Sequence, residues 1–296
     1  MAKVLISGGS GLVGSRLREK LITKGYSVAL LSRTKGENQF AWDLEQMTIE
    51  DSAFENVDFI IHLAGENVAG KRWSKKQKSK ILNSRVKSGQ LIVETLKQLE
   101  CKPKAIISAS GVGYYGFAAP SKIFSESDEP ANDFLGDVCK QWEKEINKAK
   151  EQNIRTVNLR TGIVLSSKGG AFTKLNKFIK MGLGSGFGSG KQFMPWIHID
   201  DLCDMYIKAI ENSSMSGAYN AVAPEHINNI EFTTLVAKVQ GKRILLPNVP
   251  GFMLKLGLGE MSEILLKGNK VSCKRIQNEG FEFTYAQLND AIRSLI

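Results

Sequence analysis

The sequence predicts an α/β fold, a Rossmann-like, doubly wound parallel sheet with a smaller C-terminal α/β lobe. Short, continuous apolar runs alternate with helical patterns through the first half of the chain, as expected for parallel strands covered on both faces. A glycine cluster directly follows the first apolar run, and the last third loses the regular alternation. We therefore predict a Rossmann-like domain over residues 1–220 and a C-terminal lobe over 221–296.

The first half contains the clearest elements. Strands are predicted where short apolar runs end in small or polar residues, over 3–7, 27–32, 57–65, 104–110 and 154–165. Helices are predicted over 11–24, 73–99 and 134–151. The second of these helices places Ile81, Leu91 and Leu96 on one face, and Gly25 stops the first. The order strand–helix–strand is typical of a doubly wound sheet.

The second half is less regular. A helix is predicted to run into a glycine-rich loop over 172–192, and an extended segment over 193–202 leads into a helix capped by Asp200 or Asp201. A strand over 217–222, a helix over 230–241 and a helical tail over 252–296, broken at 281–285, complete the prediction. The loop at 182–191 is not a phosphate-binding loop, because Ser185 and Gln192 occupy positions that the motif reserves for Gly and for Ser or Thr. We predict a mobile loop on the substrate side, in the part of the first domain that starts near residue 166.

Composition narrows the function classes. The chain has 296 residues, of which 42% are hydrophobic and 24% are charged, as in an ordinary globular protein. Since no apolar run reaches bilayer length and the start lacks a signal peptide, we expect a cytoplasmic protein without a membrane partner. The net charge is +10, and much of it lies in KRWSKKQKSK (71–80). A solvated helix face is expected there, because nucleic-acid binding usually needs aromatic residues besides Trp73.

The cysteines and histidines indicate no metal site. Four cysteines (Cys101, Cys139, Cys203, Cys273) and three histidines (His62, His198, His226) are scattered without the spacing of metal ligands. Scattered thiols also fit a reducing compartment.

The stretch ISGGSGLVGSRL (6–17) predicts a dinucleotide site. Its glycines lie between the first strand and the first helix, where they permit a tight turn and close approach of the backbone to a pyrophosphate. The helix N-terminus then offers free N–H groups to that anion. The predicted contacts are Gly8, Ser10, Gly11, Leu12, Val13 and Gly14.

The end of the second strand predicts which dinucleotide binds. NAD-binding chains tend to carry an acidic residue there for the ribose hydroxyls, whereas this chain has Ser32 and Arg33. A guanidinium suits a 2′-phosphate, so NADP(H) is predicted over NAD(H). Leu63, Ala64 and Gly65 end a later strand at the same edge of the sheet, where ligands lie.

Several segments carry a resemblance to a known family; they include ISGGSGLVG (6–14), LSRT (31–34), HLAGENV (62–68), NSRV (83–86), SASGVGYYG (108–116), LRTGIVL (159–165) and PWIHIDDL (195–202). The chain resembles the extended and atypical short-chain dehydrogenase/reductases of the NAD(P)-dependent epimerase/dehydratase family. More narrowly, it is similar to the epimerase-like branch with a C-terminal domain of unknown function. Members of that branch are labelled nucleoside-diphosphate-sugar epimerase or cell-division inhibitor. The resemblance implies NADP(H) contacts at Ser32, Arg33, Leu63, Ala64, Arg85 and Val164.

The same resemblance exposes a departure in the chemistry. The superfamily pairs a catalytic Tyr with a Lys four residues later, and the matching helix here has Cys139 and Glu143. A carboxylate raises a neighbouring thiol's pKa and cannot replace an ammonium group. We predict instead that Ser110, with Tyr114 or Tyr115, donates the proton, although packing roles for the tyrosines stay open.

Two further side chains lie in a segment that reaches the substrate side in similar proteins. These are Trp196 and His198. His198 could act as the acid because imidazole titrates near neutral pH, but a structural hydrogen bond is the expected role.

Two functions fit these observations. One is an NADP(H)-dependent oxidoreductase or epimerase acting on a small molecule, and the other is a regulatory or scaffold protein that binds NADP(H) without turnover. RNA or membrane-surface binding through 71–80 is a weaker third hypothesis. The sequence does not predict the oligomeric state.

Overall fold

Strands and helices alternate along the described residues, 1–34, 36–116 and 122–296, of a computed structural model. The strands are β1 (Lys3–Ser7), β2 (Ser27–Ser32), β3 (Gln39–Asp43), β4 (Thr48–Ile49), β5 (Phe59–His62), β6 (Ala105–Gly111), β7 (Ile123–Phe124), β8 (Arg155–Thr161), β9 (Ile163–Leu165), β10 (Trp196–His198), β11 (Gly217–Ala221) and β12 (Lys270–Val271). The α-helices are α1 (Leu12–Thr23), α2 (Lys75–Gln98), α3 (Phe134–Asn147), α4 (Gly170–Lys180), α5 (Ile199–Glu211), α6 (Asn229–Val239), α7 (Gly251–Leu258), α8 (Glu263–Leu266), α9 (Lys274–Asn278) and α10 (Leu288–Leu295).

The central sheet confirms the predicted Rossmann-like fold. Eight strands pair in the order β11-β8-β6-β5-β1-β2-β3-β4. All neighbours are parallel except β3 and β4. Because β1 has β2 on one side and β5 on the other, the strand order reverses there, and ligands of such sheets bind outside that switch point.

Each face of the sheet is covered by its own helices. On one face, α1 and α5 contribute Leu17, Leu21 and Met205 to a buried apolar cluster with Ile6 of β1. On the other face, Ile92 of α2 and Trp142 of α3 pack with strand residues such as Leu5 and Ile60. Both faces of the sheet are therefore apolar, which explains the continuous rather than alternating hydrophobic runs.

Ion pairs join α1 to α5 along their length. They are Arg16–Asp200 at 2.6 Å, Lys20–Asp204 at 2.7 Å and Lys24–Glu211 at 3.0 Å. The basic members recur one turn apart, two on α1 and the third, Lys24, at the residue that follows it, and all six side chains are partly solvent-exposed. The two helices therefore run side by side in the same direction.

Three predicted details were wrong or incomplete. The strand over 154–165 is two strands separated by Gly162, where a Cβ would lie 2.4 Å from the carbonyl oxygen of Pro195. Neither Asp200 nor Asp201 caps α5, because the side chain of His198 accepts the N–H of Asp200 and both acids lie in the first turn. The edge hairpin formed by β3 and β4 was not predicted.

The C-terminal part packs directly on strands of the first part. Leu165 of β9 and Trp196 of β10 share one buried cluster with Phe232 of α6 and Leu288 of α10. The division of the chain after residue 220 stays a prediction. Within the described ranges, no helix combines the length and the hydropathy needed to cross a bilayer.

Candidate functional site

The turn after β1 requires glycine for steric reasons. Gly8 has φ of 75°, and a Cβ there would lie 2.8 Å from the backbone nitrogen of Ala64. A Cβ on Gly14 would lie 2.4 Å from the carbonyl oxygen of Gly8 and 2.7 Å from the Cα of Gly9. The turn therefore packs backbone to backbone against the residues that follow β5, and the predicted contacts Leu63 and Ala64 lie beside it.

The N-terminus of α1 opens from this turn without a capping side chain. Gly11 donates its N–H to the carbonyl oxygen of Gly8 at 3.0 Å, which closes the turn just after Ser10. The first helical turn, Leu12, Val13 and Gly14, carries no acidic residue, and no side chain caps it. The positive end of the helix dipole is therefore not neutralised by a capping side chain or by an acid in its own first turn, as in an anion-binding helix terminus.

The end of β2 lies next to this turn and presents a basic side chain. Ser32 Oγ accepts the N–H of Thr34 at 3.3 Å, which turns the chain away from the strand. Arg33 is exposed and forms no ion pair with any described residue. With parts of β3 and β4, it lines an open cavity of about 420 Å³ that also contains Trp42. This guanidinium is available to an outside anion.

Arg85 lies beside the turn that follows β5. Its Nη1 donates to the carbonyl oxygens of Glu66 at 2.9 Å and Ile81 at 3.0 Å. A Cβ on Gly65 would lie 2.9 Å from the Cζ of Arg85. Burial lowers the pKa of Arg85. This arginine shapes the segment at Gly65, and its predicted contact with a cofactor stays a prediction.

Val164 reaches the same region from β9. Its carbonyl oxygen lies 3.7 Å from a Cβ placed on Gly170, and the side chain of Leu12 lies 3.4 Å from the same point. The loop between β9 and α4 therefore lies against the start of α1. The structure thus brings the predicted cofactor contacts to one edge of the sheet around the β1 switch point.

A buried histidine supports the glycine turn from below. His62 Nδ1 lies 2.6 Å from Ser7 Oγ, and its Nε2 lies 3.1 Å from Ser88 Oγ. Burial lowers the pKa of His62 to about 3. The imidazole is therefore neutral and structural, held between β1 and α2.

A buried ion pair occupies the region where catalysis was predicted. Glu143 of α3 accepts two hydrogen bonds from Arg160 of β8, at 2.8 Å from Nε and 2.9 Å from Nη2. Ser110 Oγ donates to the same carboxylate at 2.7 Å. Arg160 is 4% exposed and Glu143 is 7% exposed. The predicted catalytic Ser110 thus lies inside a satisfied network.

The two tyrosines differ in their surroundings. Tyr115 is buried, donates to Asn220 Oδ1 at 2.5 Å and accepts from Arg160 Nη1 at 3.0 Å. Burial raises the pKa of Tyr115 to about 12. Tyr114 is only partly buried, and the Cζ of Arg160 lies 3.4 Å from its ring centroid. Burial also raises the pKa of Tyr114, while Arg160 opposes that rise.

The thiol one turn before Glu143 is buried and protonated. Burial, with the Glu143 carboxylate as the second cause, raises the pKa of Cys139 to about 11. Such a thiol is a poor nucleophile at neutral pH. Within the described side chains, no group of three or more His, Cys, Asp and Glu residues could hold a metal ion.

The segment with Trp196 and His198 is buried. His198 stacks on Tyr285 at 3.8 Å between ring centroids, and its Nε2 lies 3.3 Å from Ser294 Oγ. Burial lowers its pKa to about 4. This histidine forms a structural hydrogen bond at the start of α5, as expected.

The basic stretch and the glycine-rich loop each contact a segment that is distant in the sequence. In the basic stretch 71–80, Trp73 is buried and Lys78 pairs with Glu260, while the other lysines are exposed. The loop at 182–191, predicted as mobile, is hydrogen-bonded to two segments: Val249 donates to Gly186 and accepts from Gly188, and Ile230 donates to Gly190. Its mobility stays a prediction.

Arg160 is the functional candidate that the sequence reasoning missed. It lies in NLRTG, in a strand predicted to be covered on both faces, and a buried charged residue there requires a partner. Combined with Glu143 on the buried face of a helix, that signal would have predicted an ion pair.

Comparison with known proteins decides the family. Residues 4–222 match the profile described as NAD dependent epimerase/dehydratase family, and residues 249–295 match Domain of unknown function (DUF1731). The chain belongs to the NAD dependent epimerase/dehydratase family. The resemblance predicted from the glycine turn and the other segments is therefore confirmed.

Relatives in this family align over the whole chain. Epimerase family protein YfhF of Bacillus subtilis is 33% identical over 99% of this chain and 97% of its own length. Human epimerase family protein SDR39U1 is 30% identical over 99% of both chains. A crystal structure of human SDR39U1 with NADPH superposes with a TM-score of 0.89 at 29% identity, covering 99% of this chain and 98% of that one.

Proposed function

We propose that the protein is an NADP(H)-dependent oxidoreductase of the short-chain dehydrogenase/reductase superfamily that acts on a small molecule in the cytoplasm. The observation that carries this proposal is the uncapped N-terminus of α1 beside Arg33, which has no ion-pair partner among the described residues. The first suits the pyrophosphate and the second suits a 2′-phosphate. The NADPH in the human SDR39U1 structure supports the same choice of cofactor.

The chain's residues would divide the work around the cofactor. Gly8, Gly11 and Gly14 let the pyrophosphate approach the backbone, and Leu63 with Ala64 wall the opposite side. Bound NADPH would supply hydride to a substrate carbonyl. Among the predicted donors, Tyr114 is the favoured proton source because its ring is only partly buried, whereas Tyr115 is enclosed.

A binding experiment tests the cofactor assignment. Calorimetry of NADPH and NADH should show that Arg33→Ala weakens NADPH binding by about 10- to 100-fold, since charged hydrogen bonds to phosphate are lost, and leaves NADH unchanged. Arg18→Ala, an exposed arginine of α1, is the matched control and should change neither. Equal losses for both cofactors in Arg33→Ala would contradict the 2′-phosphate assignment.

A non-catalytic NADP(H)-binding protein is the second candidate. It is favoured by one observation, that Ser110 and Tyr115 already donate their hydroxyl protons to Glu143 and Asn220. Incubating the protein with NADPH and a panel of carbonyl compounds, while following the absorbance of reduced nicotinamide, separates the two. Oxidation of NADPH with any compound supports the enzyme, and tight binding without oxidation supports the regulatory protein.

A further inference from the structure

The ion pair between Glu143 and Arg160 explains why α3 carries a carboxylate. Three strand residues, Ser110 of β6, Arg160 of β8 and Asn220 of β11, are register partners in one row across the sheet. Glu143 lies over this row and accepts from Ser110 and twice from Arg160. The two-point contact fixes the plane of the guanidinium, because both oxygens of the carboxylate are engaged.

The ring of Tyr114 covers one face of the fixed guanidinium. The Cζ of Arg160 lies 3.4 Å from the Tyr114 ring centroid, close enough for direct stacking. Its remaining nitrogen, Nη1, donates to Tyr115 Oη at 3.0 Å and to the carbonyl oxygen of Glu126 at 3.4 Å. Arg160 is therefore held from three sides and can position the Tyr114 ring.

We propose that Arg160 is a positioning residue that fixes the Tyr114 ring and stabilises its phenolate, with Glu143 as the clamp that holds Arg160. The cation and the phenol, which the superfamily places on one helix, would here come from β8 and from the turn after β6. This inference rests on the proposed function, since a phenol at this edge of the sheet matters only if a substrate carbonyl approaches it.

The charges around Tyr114 determine in which direction its pKa should change in variants. Arg160 favours the phenolate, whereas Glu143 and Glu129 disfavour it, and the neighbouring Tyr115 ring contacts it edge-on at 5.4 Å. Removing the cation should therefore raise the pKa of the phenol, and neutralising Glu143 should lower it. A role confined to packing would change neither value.

NMR of protein carrying ¹³C-labelled tyrosine measures this pKa directly. The chain has six tyrosines, and Tyr114→Phe identifies the ring signal of interest. We expect Arg160→Met to raise the pKa of Tyr114 by about 1 unit or more, and Glu143→Gln, which keeps the shape of the clamp, to lower it. Arg155→Met, in the same strand, is the control and should leave it unchanged.

Two outcomes would overturn the inference. One is an unchanged pKa of Tyr114 in both Glu143→Gln and Arg160→Met, and the other is the same rise in Arg155→Met. If Arg160→Met does not fold, the double variant Arg160→Met/Glu143→Met removes the pair without leaving a buried charge, and it should still raise the value. Calorimetry with NADPH on the same wild-type sample tests the proposed function independently. The changes in the pKa of Tyr114 can be measured whether or not the protein binds the cofactor, so either result can fail without the other.

Discussion

The two ends of the candidate site satisfy their polar groups in opposite ways. At the turn after β1, the N-terminus of α1 has no capping side chain and Arg33 has no partner among the described residues. At the ends of β6 and β8, Ser110, Glu143 and Arg160 satisfy one another inside the protein. The first region leaves a helix N-terminus and a guanidinium without internal partners among the described residues, which suits a bound anion, whereas the charged groups of the second region pair with one another. The comparison teaches that groups available to a ligand and groups that stabilise the fold lie in different parts of this sheet edge.

Breaking the ion pair between Glu143 and Arg160 should have the largest effect on stability. Glu143→Ala leaves Arg160 buried without its counter-charge and should lower the free energy of unfolding by about 3–5 kcal/mol in urea titrations. Glu145→Ala, on the same helix, removes a partner of the half-exposed Lys148 and should cost less than about 1 kcal/mol. Similar losses in the two variants would mean that water reaches Arg160.

A methyl group in the glycine turn should weaken both cofactor binding and folding. Gly14→Ala places a Cβ against Gly8 and Gly9, so the turn must open, and we expect NADPH affinity to fall at least about 10-fold with about 1–3 kcal/mol of destabilisation. Gly257→Ala meets nothing within 4 Å in α7 and should stabilise slightly, since alanine favours helix. Unchanged NADPH affinity in Gly14→Ala would place the cofactor elsewhere.

The smallest expected effect is an NMR signal of His62 that does not change with pH. The pKa of His62 is lowered to about 3 from an ordinary value near 6.5, so its imidazole stabilises the fold fully above pH 6.5. That stabilisation is lost as the pH falls from 6.5 towards 3, because only the unfolded chain takes up the proton. Imidazole NMR, with His62→Gln to identify the signal, should show no titration of His62 down to pH 4.5.

The opposite end responds to alkali instead. Since the pKa of Tyr115 is raised to about 12, its contribution to stability is present below the ordinary value near 10 and is lost as the pH rises through 12.

A His62 signal that titrates near pH 6.5 would show that the glycine turn is open to water from below. The contrast between a buried base at one end and a buried acid at the other would then disappear.

Local sequence predicted the geometry of the glycine turn but not the ion pair at the other end of the candidate site. Gly8 and Gly14 were predictable because their constraint is steric and lies within one turn, and β1 and β2 matched their predicted bounds. The ion pair was not, because Arg160 and Glu143 meet only after β8 and α3 pack. Strand β3 was missed because its apolar run is only three residues long, Phe40, Ala41 and Trp42, and all five of its residues are only half-buried. His198 displaced the expected aspartate cap because β10 ends one residue before the helix begins.

The row of ion pairs between α1 and α5 gives the molecule a dependence on ionic strength. Arg16, Lys20 and Lys24 hold α1 against the acidic side of α5 through partly exposed contacts, which dissolved ions screen. Concentrated salt would therefore weaken the packing of α1 against α5. It would also weaken the binding of any anion at the N-terminus of α1. Part of the salt sensitivity of ligand capture would then originate along the length of α1, away from the ligand itself.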